Sequence, residues 1–279
     1  MKVVLSQFGG FCPGVKRAIE LAESNPNSVI IGGEIVHNPI ETKRLENDFG
    51  IKIQPDHTKV NKGQTVIIRA HGISPHMEMQ MKDRGIKIID ATCPRVKKVQ
   101  ILINDLAGKG YHVILLGDIS HPETQGHAGY ANGNITVVKD MVEIEKQAKS
   151  FHGKLALLAQ TTKQSDVLHE MSNWLNQNGI KHEFFNTTCS CVTERQQHAK
   201  DLAKSVDVAV VVGGRNSFNT KLLVDAMGDF CKVHHIESID DINHGWFDNI
   251  KTCGVIGGVS TSDYTLKEVE RFLAKSVKI

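Results

Sequence analysis

Apolar and polar positions recur along this chain in a fixed order. Short apolar runs rich in β-branched residues, "SVIIGG", "HVILLGD" and "VAVVVGG", read as buried strands. Ahead of each lies a stretch of helical period. Val15, Ala18, Ile19 and Ala22 mark the first, and Val96, Val99, Ile103 and Leu106 the second. The third is more polar and keeps Ala199, Leu202 and Ala203. A further apolar run closes each set: "QTVIIRAHG", "GKLALLAQTT" and "TCGVIGGVST". Strands alternating with helices predict parallel sheets joined by right-handed crossovers.

The sets are copies of one another, and this internal repeat organises the chain. Each carries an apolar run, a Cys, a helical stretch and a second apolar run ending at Gly. The spacing is nearly constant from Cys12 to Gly32, from Cys93 to Gly117 and from Cys189 to Gly213. The expected fold class is therefore α/β, with three pseudo-threefold-related units of roughly 90 residues and mainly parallel sheets. The expected units are 1–87, 88–182 and 183–265, followed by a helical tail over 266–279.

Composition narrows the function classes. Among 279 residues, 40% are hydrophobic and 23% charged, which is globular usage and excludes disorder. No run of about 18 apolar residues occurs, so no membrane partner is expected. Lys+Arg 33 against Asp+Glu 31 leaves a net charge of +2 without a basic block, so no nucleic-acid partner is expected. The start "MKVVLSQFGGFCPG" lacks a charged segment followed by a long apolar one. A cytoplasmic location is the expectation. The 6 cysteines are too sparse for a disulfide scaffold, which leaves packing, redox, catalytic or metal roles.

Ligands of open parallel sheets bind beyond the carboxyl ends of the strands. That rule selects Cys12, His37, Asn38 and His71 in the first unit. It selects Cys93, His121, Glu123 and Thr161 in the second, and Cys189, Ser217, Asn219 and Ser260 in the third. With strand ends pointing inward, these residues would line one site. Each of the three cysteines opens a helix, whose dipole and free N–H groups favour a thiolate. Three thiols on three loops suit a metal centre. Zinc with a fourth ligand is one solution, although local C-x-x-C pairs are absent. An iron–sulfur cluster with one open iron is the other. Cys231 and Cys253 read as core, and Cys191 as helix packing. His127 lies near the second loop with its role open. Gly-rich strand ends allow close backbone approach to an anion, which points to a small phosphorylated substrate. No G-x-x-x-x-G-K-[ST] loop and no strand-linked G-x-G-x-x-G occurs, so nothing supports nucleotide hydrolysis or a dinucleotide cofactor.

The motifs "GFCPGV", "EIVHNP", "RAHGIS", "DATCPRV", "SHPETQG", "QTT", "TTCSCVTERQ", "VVGGRNSFNT" and "GGVST" run in this order from Val3 to about Asp263. In them the chain resembles the LytB family, the 4-hydroxy-3-methylbut-2-enyl diphosphate reductases. The resemblance implies a trefoil of the three units around one 4Fe-4S cluster with three Cys ligands and one open iron. It implies Cys12, Cys93 and Cys189 as those ligands. It implies His37, His71 and His121 as the histidines that hold the diphosphate. Ser217, Asn219 and Ser260 match its other polar contacts, with Thr162 and Phe218 beside them. Glu123 matches the acid that delivers protons, and Thr161 the hydroxyl that positions substrate and relays protons.

The implied reaction is reductive dehydroxylation of the allylic diphosphate to isopentenyl and dimethylallyl diphosphates, in non-mevalonate isoprenoid biosynthesis. A one-electron carrier such as ferredoxin or flavodoxin would supply the electrons. Glu123, cut off from water beside a diphosphate, is expected to have a raised pKa. The chain departs from the family at Cys191-Val192, where Ala-Thr is usual, and at Phe218, where Ser is usual. It also departs in the loop from Ile256 to Ser262. Three alternatives compete. They are a divergent paralogue reducing another small anionic substrate, a non-redox iron–sulfur hydratase and an iron–sulfur sensor.

Overall fold

A computed structural model of the chain describes residues 1–36 and 38–276. The first stretch holds β1 (Lys2–Leu5), α1 (Pro13–Glu23), β2 (Val29–Ile31), α2 (Pro39–Phe49), β3 (Lys52–Gln54), β4 (Thr65–Ile68), α3 (Pro75–Asp83) and β5 (Lys87–Asp90). Next come α4 (Pro94–Gly108), β6 (Tyr111–Leu116), α5 (Pro122–Gly129), β7 (Ile135–Val138), α6 (Met141–Gln147), β8 (Lys154–Ala159), α7 (Ser165–Gln177) and β9 (Glu183–Phe184). The last stretch holds α8 (Ser190–Ala203), β10 (Val208–Val212), α9 (Phe218–Gly228), β11 (Lys232–Ile236), β12 (Thr252–Gly257) and α10 (Asp263–Ser276).

The strands form three four-stranded sheets of one design, ordered β3-β2-β4-β5, β7-β6-β8-β9 and β11-β10-β12-β1. Every pairing is parallel. The α/β class read from the repeat is therefore what the chain forms. The phase of the repeat differs by one strand. The strand leading to Cys93 is β5, and it pairs with β4 of the sheet before it. The strand leading to Cys189 is β9, and it pairs with β8. The strand leading to Cys12 is β1, and it pairs with β12. The expected division after 87 therefore cuts β5 after its first residue, and the division after 182 parts β9 from β8. Periodicity reports the order of elements, not which neighbour a strand bonds.

The chain divides into two compact units. One comprises Met1–Lys16, Glu34–Asp48 and the chain from Ser190 onward; the other comprises Arg17–Gly33 and Phe49–Cys189. The second unit holds two of the sheets. On β6 and β8 the side chains alternate. Ile114, Leu116, Leu155 and Leu157 face Ile144 of α6 and Leu168, Met171 and Leu175 of α7. Val113, Leu115, Ala156 and Leu158 face Val99, Ile103 and Leu106 of α4. Both faces are covered, as a parallel sheet requires. Each fully buried Leu or Ile contributes roughly 1.5–3 kcal/mol. In the other sheet of this unit, Val29, Ile31, Val66 and Ile68 pack on Met81 of α3.

The first unit repeats the scheme. Val208, Val210, Val212 and Val255 face Leu266, Val269 and Leu273 of α10. Ala209, Val211 and Ile256 face Ala199 and Ala203 of α8 and Leu223 and Met227 of α9. The segment expected as a tail from 266 is thus the greater part of a core helix that starts at Asp263. Residues 277–279 of that expectation lie outside the described residues.

Candidate active site

The chemistry-bearing residues of the second unit sit where strands end and helices begin. Each helix start leaves backbone N–H groups without helical partners, and a local group must meet them. His121 is the N-cap of α5, and its Nδ1 accepts the Glu123 N–H at 3.2 Å. That bond puts the ring proton of neutral His121 on Nε2, which makes that nitrogen a donor. Burial pushes the His121 pKa down; the Arg69 charge adds to this and Glu123 opposes it. The rings of His71 and His121 stand edge to face with centroids 5.3 Å apart. His71 follows β4, and Gly72 after it turns the chain at φ +74°.

Glu123 is 1% exposed. Its Oε1 accepts the Thr161 backbone N–H at 2.7 Å, and its Oε2 accepts the Thr161 hydroxyl at 2.9 Å. His127 Nε2 lies 3.2 Å from Oε1, one helical turn along α5. Burial pushes the carboxyl pKa up, but the bonds from His127 and Thr161 outweigh it and hold the value below the ordinary one. The expectation of a raised pKa applied to the carboxyl beside a bound diphosphate; the chain's own donors act in the opposite direction. The sequence does not show the three donors folded around the carboxylate.

Two cysteines of this unit are held by their backbones. Cys93 is the N-cap of α4, makes no side-chain cap bond, and donates its N–H to the Ala70 carbonyl at 2.9 Å. Asp90 accepts the Thr92 N–H at 2.9 Å, and Arg17 donates to the Thr92 and Asp90 carbonyls at 3.2 and 3.0 Å, fixing the approach to Cys93. Cys189 donates its N–H to the Thr161 carbonyl at 2.7 Å. Thr161 therefore binds Glu123 on one side and Cys189 on the other. Thr162, half-buried, accepts from Gln160 Nε2 at 2.8 Å.

The first unit presents the third copy of this arrangement. Cys12 donates its N–H to the Val259 carbonyl at 3.1 Å, and its Sγ accepts the Val15 N–H at 3.5 Å. Ser260 comes next after Val259 and is buried; its carbonyl accepts from Asn38 Nδ2 at 2.9 Å. Ser217 is the buried N-cap of α9, accepting the Thr220 N–H at 3.4 Å. Asn219 Oδ1 is buried without a hydrogen-bond partner. Phe218, the first residue of α9, is 50% exposed. His37 lies outside the described residues.

Other cysteines separate from these three. Cys253 is in the core, and burial pushes its thiol up to about 12. Cys231 packs against the core and is pushed up as well. Cys191 is half-buried on α8. None of the 6 cysteines is in a disulfide. Among the described residues, no three His, Cys, Asp or Glu side chains converge on a single ion. Each of the three thiols stands at a helix N-terminus, and a thiolate so placed is a donor of the kind that holds iron–sulfur clusters.

Two buried arginines were not among the residues singled out from the sequence. Arg195 of α8 donates to the Gly257, Gly258 and Gly10 carbonyls at 2.7, 3.1 and 2.6 Å, joining the loop before Cys12 to the loop before Ser260. Arg69 packs against Gly32 and Gly33, both at positive φ. The available signal was a charged residue inside each matched motif, "TERQ" and "RAHG". His127 carried a signal too, since it stands four positions after Glu123 on one helix face.

This is the architecture and strand-end chemistry of a parallel α/β enzyme that acts on a small anion. The chain belongs to the LytB protein family, whose pattern it matches over residues 3–274. Members of that family are iron–sulfur enzymes. The chain is 39% identical over 272 residues to the 4-hydroxy-3-methylbut-2-enyl diphosphate reductase of Helicobacter pylori, covering 97% of this chain and 98% of that one. It is 37% identical over 270 residues to the enzyme of the same name from Campylobacter fetus, covering 96% of each. A solved structure of (E)-4-hydroxy-3-methyl-but-2-enyl diphosphate reductase, the terminal enzyme of the non-mevalonate pathway, is 34% identical. It superposes with a TM-score of 0.77 over 99% of this chain and 100% of that one. The E-1-hydroxy-2-methyl-but-2-enyl-4-diphosphate reductase of Plasmodium falciparum is 28% identical, with a TM-score of 0.86 over 98% of this chain and 87% of that one.

Proposed function

We propose that this chain is a reductase that removes the allylic hydroxyl of 4-hydroxy-3-methylbut-2-enyl diphosphate, giving isopentenyl and dimethylallyl diphosphates. Its family and its similarity along the whole length support the reading. The observation that carries it is the link through Thr161, which ties Glu123 to the loop of Cys189.

In this reading Cys12, Cys93 and Cys189 hold one 4Fe-4S cluster with three thiolates. When bound, the cluster supplies electrons and an open Lewis-acidic iron for the substrate oxygen. The chain's residues do the rest. His37, His71 and His121 bind the diphosphate, with Ser217, Asn219, Ser260, Thr162 and the Phe218 backbone N–H. Neutral His121 donates from Nε2, and the N-terminus of α9 adds its dipole. A bound diphosphate beside Glu123 raises the carboxyl pKa from its depressed value, so substrate binding itself loads the acid with a proton. Glu123 then protonates the leaving oxygen, and the Thr161 hydroxyl passes the proton. Two electrons arrive singly from a carrier of the ferredoxin or flavodoxin class. A reducing cytoplasm suits a chain whose 6 cysteines form no disulfide. Among the described residues no helix is long and apolar enough to cross a membrane.

Phe218 favours one second reading, a paralogue that reduces another small allylic diphosphate, because the usual hydroxyl is missing at the start of α9. Anaerobic assay of the cluster-loaded protein with 4-hydroxy-3-methylbut-2-enyl diphosphate and reduced methyl viologen separates the two. Turnover that depends on the reductant is expected. An intact cluster without turnover would favour the paralogue, and turnover without reductant would point to a hydratase.

A further inference from the structure

We propose that His127 is a positioning residue for Glu123, holding the carboxylate from behind in the orientation that delivers its proton. The inference rests on the function proposed above for Glu123. His127 is 0% exposed, and a fully buried imidazole needs a reason to be there. Its Nε2 lies 3.2 Å from Glu123 Oε1 across one turn of α5. Its Nδ1 is buried with no hydrogen-bond partner. Among the described residues, Glu123 is the group to which the ring's polar edge is presented. With the proton on Nε2, His127 donates to Oε1, which already accepts the Thr161 N–H; Oε2 takes the Thr161 hydroxyl. Without His127, Oε1 keeps only the backbone donor, and the carboxylate is held from the Thr161 side alone.

The surroundings leave few rivals for this task. On its own helix Glu123 is acted on by His127, and at the N-cap by His121, which Arg69 influences in turn. The end of β8 presents Thr161. Packed against α5, α4 presents the uncharged Gln100 at Gly126, and the start of α3 presents Ser74 at Gly129. Lys97 of α4 is engaged by Asp90 at 3.1 Å.

The test compares His127→Phe, which keeps a ring and loses the donor, with His127→Gln, whose amide nitrogen reaches where Nε2 stood. Both are made in the cluster-loaded enzyme, and a cooperative thermal melt checks folding. Should His127→Phe not fold, His127→Asn, too short to reach the carboxylate, replaces it. The expected result is a kcat about tenfold or more lower for the Phe variant with KM within about threefold, and a Gln variant within about threefold of the parent in kcat. A second measurement needs no turnover. Infrared carboxyl bands of Glu123, isolated by subtracting Glu123→Gln spectra, are followed against pH. The protonated band should appear at higher pH in the Phe variant and stay in place in the Gln variant. A Phe variant with parental kcat, equal damage from Phe and Gln, a loss carried by KM, or an unmoved infrared titration would each overturn the proposal. An inert parent enzyme would count against the proposed substrate, and the infrared comparison would then decide the role of His127 alone.

Discussion

Thr161 holds Glu123 with two donors, its backbone N–H at 2.7 Å from Oε1 and its hydroxyl at 2.9 Å from Oε2. The backbone bond survives any side-chain change, so substitution isolates the hydroxyl. A hydrogen bond to a charged group is worth about 1.5–3 kcal/mol. Thr161→Val, which keeps the branched shape, should lower kcat by about one to two orders of magnitude. Thr161→Ser should restore most of it. Steady-state kinetics of the two variants checks this, and equal rates for Val and Ser would refute a role for the hydroxyl.

The same bonds set a pH dependence. The folded Glu123 pKa lies below its ordinary value, so its contribution to stability is present above the unfolded pKa and is lost as pH falls through the folded one. Burial lowers the His121 pKa, and a base with a depressed folded pKa also costs stability on acidification, because the unfolded chain takes up the proton first. That loss begins as pH drops below about 6.5, the ordinary His value. Melting temperature should therefore fall in two stages, first through the His range and then through the carboxylate range. His121→Gln should shrink the first stage, to which His112 and His234 also contribute, and Glu123→Gln should shrink the second, to which Asp90 and Asp118 also contribute. Inorganic diphosphate should raise melting temperature most where His121 accepts a proton, and calorimetry across pH reads both effects.

Much of this was legible in the residues. The repeat placed Cys12, Cys93 and Cys189 alike, and in the fold each donates its backbone N–H to a carbonyl at the end of the neighbouring strand: Val259, Ala70 and Thr161. The rule that ligands lie beyond strand ends selected Glu123 and Thr161, which bond each other. The pairing of β1 with β12 was not legible, because a periodic pattern has no marker for where one copy ends in space. Nor was the direction of the Glu123 pKa. Burial and hydrogen bonding oppose each other there, and only coordinates count the donors. Arg195 escaped notice because a lone Arg on a polar helix usually faces water; its three carbonyl partners come from two distant loops.

Gly72 carries a constraint that a methyl group would break. Its φ is +74°, and a Cβ there would stand 2.4 Å from Gln100 Nε2 and 3.1 Å from Thr92 Cγ2. Gly72→Ala should destabilise the protein by roughly 1–3 kcal/mol through left-handed strain and crowding. The displacement would fall on His71 and on Thr92, next to Cys93. Diphosphate affinity should drop along with thermal stability. Gly63→Ala makes a control, since its φ is +88° and a Cβ there meets nothing within 4 Å. A Gly72 variant no worse than the Gly63 one would show that crowding at Gln100 is tolerated.

Phe218 begins α9 half out of solvent contact, between Ser217 and Asn219. Phe218→Ser adds a hydroxyl where the helix dipole favours an anion and removes an exposed ring, so stability should change by no more than about 0.5 kcal/mol. KM for the diphosphate should fall by up to about tenfold while kcat stays put, the signature of added uniform binding. Unchanged KM would clear Phe218 and leave the backbone N–H as sufficient.

The cysteines give the sharpest contrast. Cys12, Cys93 and Cys189 are half-buried at helix starts, whereas Cys253 is fully buried in the β10–β12 core and Cys231 packs beside it. A thiolate ligand replaced by Ser should cost most of the bound iron and sulfide, because a hydroxyl is a far poorer soft-metal ligand. The apoprotein backbone should survive, since the N–H bonds of Cys12, Cys93 and Cys189 are unaffected by the side chain. Cys253→Ser should do the reverse, keeping the metal and losing roughly 1–3 kcal/mol, since it buries a hydroxyl among Val208, Val210 and Val255. Cys231→Ser, nearer the surface, should do less. Iron and sulfide counts per chain, the visible absorption of the reconstituted protein and a thermal melt distinguish the classes. Full iron binding by Cys12→Ser, Cys93→Ser or Cys189→Ser would remove that residue from the ligand set.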